Sequence, residues 1–298
     1  MPLPPSQPHL PSVLLPEHFI RRDLLVLVQQ AIGERYSVER EVARGGAGRV
    51  FLAIDPSGQR VALKVLHPEL AVSVTAERFL REIALLKRLD HPLIARLLDY
   101  GEQNWLVYYA MSFADGPTLR GHLERVRQAS VDDVVRIAMD LLSALGYAHR
   151  NGIMHRDVKP DNIILAAQGA MLLDFGIAKA IEAAGTERLT KSGFTVGTSS
   201  YMSPEQVAAL DTIDHRSDLY SLGCVLFEAL SGHPPFSHRS EAIVLQMQLT
   251  APPPDVRVYR RDVPETLATT LMKAMEKDPA ARWQSADQMR AALEPLTG

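Results

Sequence analysis

Cysteine is almost absent from this chain. Cys224 is the single one in 298 residues, which excludes an intramolecular disulfide framework and fits a reducing compartment. Its place in an apolar helical run reads as a buried small side chain without chemistry. Neither sign of charge dominates: 32 Lys and Arg stand against 35 Asp and Glu, a net of −3, so no general basic field invites nucleic acid or an anionic membrane. Long hydrophobic runs are missing too. The most apolar early stretch, Leu24 to Val28, lies between Arg21, Arg22 and Asp23 on one side and Gln29 and Gln30 on the other. It falls far short of the roughly 20 residues that span a bilayer. The opening MPLPPSQPHLPS lacks the positive start of a secretory signal. The expectation is a cytoplasmic protein with no membrane span and no nucleic-acid partner.

What is present is enough apolar content, 46%, for a sizeable core. Residues 1–16 hold six prolines and read as an extended or disordered tail. From Glu17 to Gly33, Phe19, Ile20, Leu24, Leu27, Val28 and Ile32 recur at helical spacing, and Gly33 can end that helix. Residues 1–35 are therefore assigned to a Pro-rich tail and a helical extension that packs on the strand-forming region after it.

Tyr36 opens that β-rich region with YSVEREVARGGAGRVFLAID and QRVALKVLH. Its turn ARGGAGRV supplies Gly45, Gly46 and Gly48, which let backbone amides approach phosphate oxygens. VALK then gives Lys64 a strand position from which to reach phosphates. The helix AERFLREIALLKRL, Ala76 to Leu89, aligns Phe79, Leu80, Ile83, Leu86 and Leu89 on one stripe. His91 reads as a turn residue. Ser130 with Asp133 caps a long helix that ends at Asn151 and Gly152.

That long helix delivers the chain to HRDVKPDN, His155 to Asn162, and LLDFG comes next at Leu172 to Gly176. Phosphoryl transfer needs charge neutralisation and a positioned hydroxyl, with little covalent help from the protein. Asp157 can orient a hydroxyl and accept its proton, and Lys159 can counter charge on the moving group. Asn162 and Asp174 offer hard oxygen ligands to Mg²⁺, with Mn²⁺ as a substitute.

With these motifs in this order, residues 36–298 resemble the catalytic domain of the eukaryotic-type (Hanks-type) serine/threonine protein kinases of bacteria. The resemblance implies an α+β, bilobal fold: a small antiparallel-sheet lobe with one major helix over about 36–111, and a large, mainly helical lobe over about 115–298. It implies ATP as cofactor and transfer of its γ-phosphoryl group to Ser or Thr of protein substrates. Ala43 stands where the family has its first loop glycine. Val50, Ala62, Met111, Ser112, Phe113, Ala114 and Ile164 would line the nucleotide pocket, and Lys64 would pair with Glu82.

Further along, Arg156 and Lys179 would receive a phosphate placed on Thr190 or Ser192 by autophosphorylation, and a homodimer would let one copy act on another. Thr198 would contact Asp157 and Lys159, Glu205 would pair with Arg282, Asp218 would hold the catalytic-loop backbone, and His155 would be structural. The rival readings are a nucleotide-binding pseudokinase scaffold, favoured only by Ala43, and a small-molecule phosphotransferase, which lacks GTSSYMSPEQ.

Overall fold

The β-branched, alternating stretch after Tyr36 forms a sheet because every second side chain can be buried on each face. The computed structural model describes residues 23–45, 48–66, 76–103, 106–175, 199–210 and 212–297. Strands β1 (Ser37–Gly45), β2 (Gly48–Ile54), β3 (Arg60–Leu66), β4 (Leu97–Gln103) and β5 (Leu106–Ser112) make one antiparallel sheet in the order β1-β2-β3-β5-β4. Helix α1 (Asp23–Ile32) precedes the sheet, and α2 (Ala76–Ala84) comes after β3.

Strand alternation gives the sheet two different neighbours. Val61, Leu63, Val65, Leu106, Tyr108 and Ala110 face outward and share a core with Val28, Ala31 and Ile32 of α1. The opposite face gives Tyr109 and Met111 to the main core, with Phe79 and Ile83 of α2 and the helices of the large lobe. The expected extension therefore docks on the sheet from Asp23 onward. Its earlier part, from Glu17, lies outside the described residues.

The major small-lobe helix tightens sooner than its periodicity suggests. After Ala84 the chain continues as a 3₁₀ turn over Leu85–Arg88, and the Leu89 amide donates to the Leu86 carbonyl at 3.0 Å. This keeps Leu86 and Leu89 buried while turning the chain toward His91. The His91 ring accepts from the Leu93 amide at 3.2 Å, as a turn residue does.

The large lobe is built on α3 (Leu119–Val126), α4 (Val131–Arg150) and α6 (Arg216–Ser231), with short α5 (Pro204–Val207), then α7 (Glu241–Thr250), α8 (Glu265–Ala274) and α9 (Ala286–Leu293). A hairpin of β6 (Ile163–Ala166) and β7 (Gly169–Leu172) lies between α4 and the site. Ser130 caps α4 by accepting from the Asp133 amide at 3.1 Å. Fifteen of the sixteen residues of α6 are buried, and Cys224 among them has its thiol pKa pushed up to about 12 by burial. Among the described residues no helix is long and apolar enough to cross a membrane.

Candidate active site

Two strained residues frame the site. Arg156 and Asp174 have positive φ, 67° and 58°, a region that costs most side chains about 1–3 kcal/mol and persists only where surroundings enforce it. At Arg156 the enforcement is visible. Asp218, at the start of α6, accepts from the backbone amides of His155 at 2.8 Å and Arg156 at 2.7 Å. From the other side the Gln206 side chain donates to the Arg156 carbonyl at 2.8 Å. Burial alone would raise the Asp218 pKa, but the His149 bond and charge outweigh it and hold the carboxyl below its usual range.

His155 is fully buried and packs against Phe175 in a tilted arrangement, 4.6 Å between ring centroids. Its Nδ1 accepts from the Asp157 amide at 3.2 Å, and its Nε2 faces the Leu173 carbonyl at 2.7 Å. An amide can only donate and a carbonyl only accept, so this imidazole is the neutral Nε2–H form. It ties the Asp157 loop to the strand leading to Asp174.

The catalytic set predicted on the loop comes together. Lys159 Nζ lies 2.7 Å from Asp157 Oδ2, and Asn162 Nδ2 donates to the same oxygen at 2.9 Å and to the Asp157 carbonyl at 2.8 Å. Among the described residues this leaves Asp157 Oδ1 to accept a proton from a hydroxyl. With its amide nitrogen spent on Asp157, the Asn162 side chain keeps its carbonyl oxygen as an acceptor.

Lys64 differs from expectation. Its ammonium lies 2.5 Å from Asp174 Oδ2, and the predicted pair with Glu82 is not formed in this structure. Asp174 offers a buried, charged acceptor already oriented by a second donor, Tyr109, whose hydroxyl is 3.0 Å from Oδ1. Glu82 is half-buried on α2. Burial would raise the Asp174 pKa, but the charge and hydrogen bond of Lys64, helped by Tyr109, bring it below the usual carboxylate range. Asp174 is therefore ionised.

One carboxylate oxygen and one carboxamide oxygen form a hard donor set. Two protein ligands suit a small divalent ion that keeps waters and takes phosphate oxygens. Among the described residues no cluster of three or more His, Cys, Asp or Glu forms a full protein cage. The pair fits the metal role.

The cleft surface is set by strand register. Val50 lies opposite Lys64, and Ala62 lies opposite Met111, so all four leave one face of the sheet. Val50 and Ala62 are half-buried, and Ile164 on β6 is half-buried as well. Met111 is buried behind them. Of the linker residues, Ser112 spends its amide on the Arg96 carbonyl at 2.9 Å, so that donor does not serve a nucleotide. Phe113 lies under the Arg60 guanidinium at 5.1 Å, and Ala114 is buried.

In the glycine turn, Ala43 pairs with Val50 and Gly45 with Gly48. A Cβ on Gly48 would stand 2.1 Å from the Val65 carbonyl oxygen, so that glycine answers to the neighbouring strand. Gly46 lies outside the described residues, as do Lys179, Thr190, Ser192 and Thr198.

Beyond the loop, Glu205 and Arg282 form a buried two-bond pair at 2.7 and 2.8 Å, as expected. Three participants were not anticipated: Gln206, Tyr109 and Arg120. Arg120 on α3 reaches Glu228 at 2.7 Å, the Tyr201 hydroxyl at 2.5 Å and Asp161 at 3.4 Å, fastening α6 to the catalytic loop. Only the run LRGHLERV hints at it, and any exposed arginine on a helix reads the same.

A family model described as protein kinase domain matches residues 36–292. The chain is 37% identical over 270 residues to a probable serine/threonine-protein kinase of Streptomyces coelicolor, covering 88% of this chain and 40% of that one. It is 38% identical over 269 residues to serine/threonine-protein kinase PknB of Mycobacterium tuberculosis, covering 88% and 43%. A probable serine/threonine-protein kinase PknB of Bifidobacterium longum is 36% identical over 275 residues, covering 88% and 39%. The chain spans about two fifths of the length of these relatives.

Proposed function

Because the chain belongs to the protein kinase family, as a catalytic domain of the eukaryotic-type serine/threonine branch found in bacteria, we propose that it phosphorylates Ser and Thr of protein substrates from ATP. The observation that carries this reading is the convergence of Lys159 and Asn162 on one oxygen of Asp157, at 2.7 and 2.9 Å. That arrangement fixes the carboxylate and leaves its other oxygen for the incoming hydroxyl. Asp157 accepts the hydroxyl proton as the oxygen attacks the γ-phosphorus, and ADP departs with the bridging oxygen. Lys159 offsets charge on the phosphoryl group in transit. Lys64 turns from Asp174 to the nucleotide phosphates. Asn162 and Asp174 hold a divalent cation, Mg²⁺ first and Mn²⁺ as substitute, which when bound neutralises phosphate charge.

The test is transfer of labelled phosphate from γ-labelled ATP with Mg²⁺ to a generic protein acceptor. Asp157→Asn should bind nucleotide normally and lose roughly 10²- to 10⁴-fold in turnover. Near-normal turnover of that variant would sink the assignment.

Activation is proposed to depend on phosphorylation of Thr190, Ser192 or both, since a phosphate brings about −1.5 to −2 charges and three acceptors to order a segment against Arg156 and Lys179. Two copies acting on each other would make incorporation second order in protein. Alanine at both positions should lower turnover substantially, and an unchanged rate from fully dephosphorylated protein would refute the switch. The domain is proposed to work where ATP is supplied, in the cytoplasm, on protein and not nucleic acid.

A further inference from the structure

Tyr109 lies directly opposite Lys64 in the register of β3 and β5, so both side chains leave the sheet on its inner face. The tyrosine is fully buried, and its ring lies 6.3 Å from that of Phe79. Packing alone would be served by phenylalanine. The hydroxyl is instead spent on Asp174 Oδ1 at 3.0 Å, while Lys64 holds Oδ2 at 2.5 Å.

The two donors differ in what they can do next. Lys64 carries its ammonium on a flexible four-carbon stem, and turning toward phosphates releases Oδ2. Tyr109 cannot move with it. Its strand is paired on both sides, by β3 and β4, and its ring is wedged in the core. The hydroxyl therefore stays where it is when the lysine leaves.

We infer that Tyr109 is a positioning residue, fixing the Asp174 carboxylate through Oδ1 so that Oδ2, once released by Lys64, faces the divalent cation. This rests on the reading of Asp174 as a metal ligand. Hydrogen-bond partners behind a ligating carboxylate are commonly worth about 10- to 100-fold in metal affinity. Tyr109→Phe keeps the ring and removes only the hydroxyl.

The experiment measures the affinity of the full chain for a non-hydrolysable ATP analogue by calorimetry, across a range of Mg²⁺ concentrations and without metal. Tyr109→Phe should raise the half-saturating Mg²⁺ concentration about 10-fold or more, leaving metal-free affinity unchanged. Tyr108→Phe is the control. Its hydroxyl takes a 2.8 Å bond from Arg35 on the outer side of the sheet, so it loses a comparable bond without moving the metal response. Asp174→Asn separates the two claims. If Asp174→Asn shifts the Mg²⁺ response and Tyr109→Phe does not, Tyr109 is core filling only and the inference fails alone. A lower half-saturating Mg²⁺ in Tyr109→Phe also overturns it, because the hydroxyl would then be holding Asp174 away from the cation. If Asp174→Asn leaves the response unchanged, the ligand reading and the inference fall together.

Discussion

Arg282 is fully buried against Glu205, and a buried pair broken on one side leaves an uncompensated charge. Arg282→Met should cost about 3–5 kcal/mol in denaturant unfolding, while replacing both partners with apolar residues should cost far less. Burial by itself would raise the Glu205 pKa, but Arg282 and Ser217 outweigh it and hold it low. A depressed carboxylate pKa means stability is complete above the ordinary value of about 4.3 and lost as pH falls through the folded value. Urea midpoints should therefore drop below about pH 4, and less steeply in Glu205→Gln. Lys277 has the opposite charge type. Burial lowers its pKa to about 8, so between pH 8 and roughly 10.4 the unfolded chain binds more protons and stability rises with pH. The stability of the native chain minus that of Lys277→Met should rise over that window. At this scale the grouping of Asp157, Lys159 and Asn162 was legible because they stand at fixed local spacing on one loop. Tyr109 was not, since an aromatic in a strand reads as core and its partner lies 65 residues away. Lys64 meets Asp174 here and not the expected Glu82: both carboxylates suit a lysine, and sequence does not rank their distances.

Among the elements, strands and long helices were readable from periodicity, and their ends from capping residues such as Ser130. The 3₁₀ turn at Leu85–Arg88 was not, because i and i+3 spacing serves both helix types over one turn. The linker between lobes carries a demand that composition hides. Gly116 has φ of 154°, and a Cβ there would meet the Leu165 carbonyl oxygen at 2.2 Å. The neighbouring Pro117 carbonyl accepts from the Leu165 amide at 2.9 Å, so the linker lies flat against β6. Gly116→Ala should destabilise the chain by at least about 1–3 kcal/mol and weaken ATP binding, because Ile164 on the same strand moves with it. Unchanged calorimetric affinity and an unchanged denaturant midpoint would show that the linker yields without cost.

For the whole molecule, the two cores divide the labour. The main core runs from the inner sheet face through α2 into the large lobe, so whatever disturbs it reaches the site. The outer core depends on α1, whose Val28 and Ile32 are buried. Burying two such side chains contributes roughly 3–6 kcal/mol as an upper estimate. A chain beginning at Arg35 should show faster amide exchange in β1, β2 and β3, with α4 and α6 protected as before. Equal protection throughout would mean that α1 is ornamental. The lobes and their order were readable from sequence, whereas this partition needed the register, which decides the face each residue takes. The chain is also made from one end. Glu205, beside the segment expected to seat the substrate, takes its counter-charge from a residue 77 positions later. At the usual pace of synthesis that is a delay of roughly 4 to 15 s. A half-made chain on the ribosome thus carries the His155–Asn162 loop before Glu205 has met its counter-charge, so that carboxylate must stay in water until the last stretch of the chain emerges.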